Sequence, residues 1–198
     1  MKRLILILML VSLFSGAALS EILTLGFKGG LNLANMAGDD IEDNEMKVCF
    51  GGGAFLNIPV GGPFSIQPEL LYVMKGYEFE SISDGGVRMS YIDLPLLVKF
   101  SIPTLGPISP NIFAGPYVGF NMSADVYMGD VEEDISDSLK TTDFGLVVGA
   151  GVDYSLLVGE LTFDARYTLG LTSIDNTADE EDVKNTGIMI MAGYGFSL

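Results

Sequence analysis

The chain has 198 residues, enough for one domain of ordinary size. It is 48% hydrophobic and only 18% charged, with mean hydropathy +0.41. Its formal net charge of −16 argues against a nucleic-acid partner, and its lack of histidine removes Ser-His-Asp and Cys-His catalysis and histidine metal sites together.

The first element, MKRLILILMLVSLFSGAALS, reads as a secretory signal peptide. Lys2 and Arg3 form its positive end, Leu4 to Phe14 its apolar stretch, and Ala18-Leu19-Ser20 its small-residue cleavage site. Cleavage before Glu21 leaves a mature domain over 21–198 and removes two positive charges, taking the net charge to −18. The stretch is short for an uncleaved anchor, and no later apolar run reaches the roughly 20 residues of a membrane helix. Cys49 is the only cysteine, which excludes an internal disulfide; it lies too far from the cleavage site to carry a lipid and reads as a small strand residue.

The two-residue period of a β-strand recurs through the rest of the chain. It predicts eight strands, near 23–35, 46–58, 64–80, 87–102, 109–124, 141–156, 159–173 and 186–198. In 23–35, Leu25, Phe27 and Leu31 oppose Gly26, Lys28 and Asn32. In 46–58, Val48, Phe50 and Ala54 oppose Lys47, Gly51 and Gly53. In 64–80, Leu70, Tyr72 and Met74 oppose Gln67, Glu69 and Lys75. In SYIDLPLLVKF (90–100), Ile92, Leu94, Leu96 and Val98 oppose Tyr91, Asp93, Pro95 and Lys99. Phe144, Leu146, Val148 and Val152 oppose Asp143 and Asp153, and Leu161, Phe163 and Tyr167 oppose Glu160, Asp164 and Arg166.

One face of each strand is therefore apolar. The other collects Lys28, Lys47, Lys75, Lys99 and Arg166 against Glu69, Asp93, Asp143, Asp153, Glu160 and Asp164, five positive charges facing six negative. High hydropathy without a membrane helix, but with alternating strands, points to a transmembrane β-barrel. Turning the charged face to lipid would cost roughly 2–4 kcal/mol for each Lys or Arg near the midplane, on the order of 10 kcal/mol in all. The charges must line the lumen and pair there. Glu69, Lys75, Asp93, Lys99, Asp164 and Arg166 are expected to form one hydrogen-bonded ionic network, in which a double-mutant cycle decides whether Asp93 and Lys99 are mutual partners, and Pro95, which has no N–H to donate, is expected at a bulge or a rim. Tyr72, Tyr154, Tyr167, Tyr194 and Phe196 are expected as girdle residues at the membrane–water boundaries.

The connections alternate in character. PVGGP (59–63), PTLGP (103–107) and LVG (157–159) are short and neutral, whereas 36–45, 81–86, 125–140 and 174–185 are mostly longer and collectively acidic. That is the asymmetry of short periplasmic turns and longer extracellular loops, with both termini on the periplasmic rim. The acidic runs Asp130–Asp134 and Asp179–Asp182 have oxygen ligands but lack calcium-loop spacing, so they read as solvated loops. No cofactor or metal is expected.

The chain ends TGIMIMAGYGFSL. Gly193, Phe196 and Leu198 fit a Gly-x-x-aromatic-x-apolar pattern that resembles the C-terminal signal read by barrel-assembly machinery, with Leu198 where Phe is usual. LGFKGGLNLANM, FSIQPELLYVMKGYEF, YIDLPLLVKF, NIFAGPYVGF and DFGLVVGAGVDY, in this order, resemble strands of the PorT-like outer-membrane barrel family, often labelled porin-family proteins. The resemblance implies an eight-stranded barrel in the bacterial outer membrane, in contact with lipid and lipopolysaccharide and inserted by the assembly machinery. It does not imply one activity, since that family includes a protein required for secretion of surface proteases.

Three function classes follow. The first is a monomeric structural or interaction barrel with a plugged polar lumen, whose loops contact envelope partners. The second is a small-solute porin, disfavoured because eight strands leave room only for side chains. The third is a soluble lipocalin-like binder, disfavoured because the charges oppose the apolar face and no Trp is present. An enzyme comes last, with only carboxylates and hydroxyls available.

Overall fold

The computed structural model describes residues 23–37, 44–79, 85–129, 131–136, 139–175 and 183–198. The expected signal peptide over 1–20 and the acidic run 179–182 lie outside the described residues. Among the described residues nine strands are present: β1 (Thr24–Ala37), β2 (Asn44–Gly61), β3 (Phe64–Phe79), β4 (Gly85–Ser101), β5 (Ile108–Met128), β6 (Val131–Asp134), β7 (Thr142–Ser155), β8 (Glu160–Gly170) and β9 (Lys184–Ser197). All pairings are antiparallel. Each strand except β6 joins its neighbours in a closed ring, sealed by β4 on β5 and by β1 on β9. Closure is what lipid demands, because a strand edge left open in hydrocarbon would hold unpaired N–H and C=O groups.

The eight ring strands match the eight expected from alternation. β6 is additional. Beyond Phe120, where its pairing with β7 stops, β5 continues outward, and after Gly129, at φ 60°, β6 folds back on it from Val131↔Met128 to Asp134↔Asp125. Its VEED sequence is exposed throughout and has no apolar alternation to betray a strand. The partly exposed Arg88 of β4 ties to it by an ion pair with Glu132 at 2.5 Å. Hydrogen bonds from the Ser136 side chain and amide hold the Asp134 carboxyl below the ordinary range.

The two faces fall as the alternation predicts. Phe27, Val48, Leu70, Leu94, Leu96, Val148, Phe163 and Ile190 are exposed on the outside. Lys28, Glu69, Leu71, Asp93, Leu97, Asp143 and Arg166 are buried inside. Tyr154 and Phe196 lie outside near the periplasmic end, with Tyr194 packed edge-on against Phe196 at 4.8 Å. Tyr72 sits instead midway along β3, where its hydroxyl donates to Ser90 Oγ at 2.8 Å.

Pro95 is neither at a rim nor at a bulge. It faces inward in the middle of β4. Pairing lapses on the β3 side between Leu96 and Asp93, and on the β5 side between Pro95 and Val98, yet the register is the same before and after each lapse. The register shift of the β4–β5 ladder comes further on, between Ser90 and Tyr91, and the β2–β3 ladder shifts between Met46 and Gly51 and between Pro59 and Gly61. On the β3 side Pro95 falls within the gap, whereas on the β5 side it still pairs with Tyr117 and the gap lies opposite Gly115 and Pro116, itself without an N–H; the flanking pairs hold the strand in place.

Nitroxide labels at Leu70, Leu94, Leu96, Val148 and Phe163 should be relaxed by oxygen and shielded from aqueous nickel reagents in vesicles. The opposite ordering of the two accessibilities would invert the assignment of faces.

Candidate functional site: the ion-paired lumen

The inward side chains meet in layers, because rows of strand residues at similar depth converge on a lumen only eight strands wide. Nearest the periplasmic rim, Lys99 of β4 reaches Asp153 of β7 at 2.6 Å, and Asn111 Nδ2 of β5 donates to the same carboxylate at 3.1 Å. Glu160, half-buried at the start of β8, stands within electrostatic reach of both charges.

The second layer is a closed four-membered arrangement. Lys28 of β1 bridges Glu69 of β3 at 2.9 Å and Asp164 of β8 at 3.0 Å. Arg166 of β8 bridges the same two carboxylates, at 2.6 Å to Glu69 and 2.8 Å to Asp164. Two cations thus share two anions, and Gln67 donates a further hydrogen bond to Glu69 at 2.7 Å. The cations also lie over aromatic faces, Lys28 over Phe55 and Arg166 over Phe113.

In the third layer Lys75 of β3 bridges Asp93 of β4 at 3.0 Å and Asp143 of β7 at 3.2 Å. The Tyr117 hydroxyl and Asn185 Nδ2 each donate to Asp143 Oδ2 at 3.0 Å. The ammonium of Lys75 sits between the rings of Tyr91 and Tyr117. Such dense partnering is what desolvated charges require, since a carboxylate or ammonium taken out of water is tolerated only when paired and hydrogen-bonded.

Towards the extracellular mouth the lumen turns apolar. Met36, Val87, Met89, Tyr91, Ala124 and Ile174 form a buried cluster, with Ile135, Leu139 and Val183 packed against it from the loops. The loops are stitched to each other above the barrel: Lys140 N donates to Ile174 O, Ile174 N donates to Val183 O, and Leu139 pairs with Asp175. This apolar cap was not legible in loops that read as acidic.

The residues assigned to the lumen from sequence are therefore inward, but partnered differently in two places. Asp93 and Lys99 do not pair; each finds its partner on another strand. Among the described residues Lys47 meets no carboxylate in an ion pair; it bonds the Tyr127 hydroxyl at 2.9 Å and lies over that ring. The neutral partners Asn111, Tyr117 and Asn185 were missed, although their strand parity is the inward one and could have flagged them. At the C-terminus Phe196 points outward, Leu198 is exposed, and the Leu198 amide donates to Leu23 O at 2.8 Å.

A closed eight-stranded antiparallel ring with an apolar exterior and a charged interior defines a small transmembrane β-barrel. The chain belongs to the outer membrane protein beta-barrel domain family, whose model matches residues 20–176, and it is a protein of the bacterial outer membrane. Solved structures agree in fold. Neisserial surface protein A (NspA) aligns over 88% of this chain and 97% of its own, at 13% identity and a TM-score of 0.55. Ail, the attachment invasion locus protein of Yersinia pestis, in complex with the heparin analogue sucrose octasulfate, aligns over 89% and 100%, at 16% identity and 0.50. OprG from Pseudomonas aeruginosa aligns over 88% and 96%, at 14% identity and 0.50. A search of curated proteins finds no match.

Replacing Lys99 with Met strands Asp153 and should destabilise the barrel by about 3–5 kcal/mol, the range for breaking a buried pair. Combining it with Asp153→Leu should cost clearly less than the sum, whereas combining it with Asp93→Leu should be additive. Urea unfolding in lipid vesicles, run as double-mutant cycles, reads both. Lys28→Met should cost less than Lys99→Met, because Arg166 still holds both carboxylates of its layer.

Proposed function

We propose that the protein is a monomeric outer-membrane barrel whose lumen is plugged by its own ion pairs, and whose role lies in what its extracellular side touches. The observation that carries this reading is the stack of three ion-paired layers, each spanning several strands, beneath the apolar cap. A solute would have to separate these pairs to pass, and each separation leaves a buried charge without its partner.

The order of strand motifs resembling the PorT-like family extends the reading to an envelope or secretion-associated role, with envelope proteins as partners. Contact with lipopolysaccharide would use loop carboxylates through bridging divalent ions. The polyanion held by the Yersinia protein is a poor guide here, because the acidic extracellular side of this chain repels polyanions. Residues 1–20 direct export and are removed, and Gly193, Phe196 and Leu198 present the assembly signal to the insertion machinery.

Planar-bilayer recording tests the plug. The purified barrel should show no large, steady open level. A stable conductance in the unmodified protein would overturn this reading in favour of a small-solute porin.

A further inference from the structure

The periplasmic end of the barrel carries an apolar surface that the lumen does not explain. The turn between β4 and β5 places Leu105 at its tip, and the turn between β7 and β8 places Leu157 and Val158 at its own; both leucines are fully exposed. The two turns are neighbours. Ile108 pairs with Tyr154, and Ser155 N donates to Pro107 O at 2.8 Å. Residues 101–109 and 154–159 contain no Asp, Glu, Lys or Arg, and neither does the third short turn, 59–63.

Two further features set these turns apart from ordinary solvated loops. First, part of their backbone is satisfied internally. Leu156 N donates to Gly159 O, Ile102 N donates to Pro110 O, the Thr104 hydroxyl donates to Ile108 O, and Pro103 and Pro107 have no N–H to satisfy. Second, the Tyr194 hydroxyl on the outer face donates to Val158 O, so a tyrosine of the kind that marks the headgroup level is bound into the turn itself. A turn with partly paired backbone and no charge loses little at the headgroup level, where its tip amides still find polar partners, and two exposed leucines gain from it.

We propose that the paired turns carrying Leu105 and Leu157 are seated in the lipid of the inner leaflet, at the boundary between headgroups and acyl chains, rather than projecting into the periplasm. The occupant of this surface is lipid because the patch is continuous with the lipid-facing wall. Ile102 and Ile108 lead to Leu105, Tyr154 and Leu156 lead to Leu157, and no charged residue separates wall from turn. The opposite end differs: there the described surface carries Arg88, Glu132, Glu133 and Asp134. The turns thus set the depth of the barrel from below, while the charged hairpin keeps the other end in water.

The chain has no tryptophan, so a single substitution reports alone. Leu105→Trp and Leu157→Trp, in phosphatidylcholine nanodiscs that leave both faces open, should be quenched by lipids brominated near the headgroup and protected from iodide. Val131→Trp on β6 should be quenched by iodide, and Val148→Trp by bromines deep in the chains. Iodide quenching of the turn tryptophans equal to that of Val131→Trp would overturn the proposal. So would protection from iodide without bromine quenching, which would mean that protein covers the turns. Because tryptophan itself favours interfaces, Leu105→Cys and Leu157→Cys in a Cys49→Ala background provide a second readout. They should react with a charged thiol reagent roughly tenfold or more slowly than Val131→Cys, since the thiolate must form in a desolvated site. Equal rates would show that the tryptophans had drawn the turns into lipid, and would also overturn the proposal.

Discussion

A Lys or Arg on a lipid-spanning strand cannot face hydrocarbon, and a barrel of eight strands offers it only a lumen already full of side chains. Everything else inside this molecule follows from that constraint. Lys28, Lys75, Lys99 and Arg166 each meet an anion within hydrogen-bonding distance, and because neighbouring inward residues on one strand sit at different depths, most partners come from other strands. Lys28, Glu69, Asp164 and Arg166 show the result: three strands contribute, and every charge touches two of the opposite sign. The arrangement adds little against a hydrophobic filling of the same volume, but removal of any one member leaves a charge stranded.

Polarity is graded along the barrel axis. The periplasmic rim is neutral, the lumen above it is ionic, the mouth is apolar inside, and the loops beyond are acidic. The apolar mouth is built partly by loop residues, Ile135, Leu139, Ile174 and Val183, that depend on loop–loop hydrogen bonds for their position. These bonds join segments distant in sequence and outside the hydrocarbon, where water competes for every donor. The ionic layers, by contrast, are held by strands whose backbone pairs have no alternative partner.

The ladder shows how much irregularity a closed sheet absorbs. Pro95 removes a donor in mid-strand without shifting the register, because the pairs on either side fix the strand. The shift appears elsewhere, at Ser90 and Tyr91, close to the place where β5 leaves β7 and continues outward to carry β6. The β2–β3 ladder shifts as well, between Met46 and Gly51 and again beside the short turn at Pro59 and Gly61.

The eight ring strands, their lipid and lumen faces and the sidedness of the loops were determined by sequence alone, because a two-residue period needs only local order, and the cost of charge in hydrocarbon decides which face turns inward. The inward placement of Lys28, Glu69, Lys75 and Arg166 follows from the same period. Which charges touch does not, since that depends on the stagger of one strand against the next around the ring. Lys99 and Asp93, six residues apart on one strand, are separated along the axis, whereas Lys99 and Asp153 are brought level by the way β4, β5 and β7 are registered. The hairpin of β6 and the apolar cap likewise belong to tertiary structure: four exposed residues carry no alternation, and a few apolar residues in acidic loops show no purpose until the barrel mouth beneath them exists.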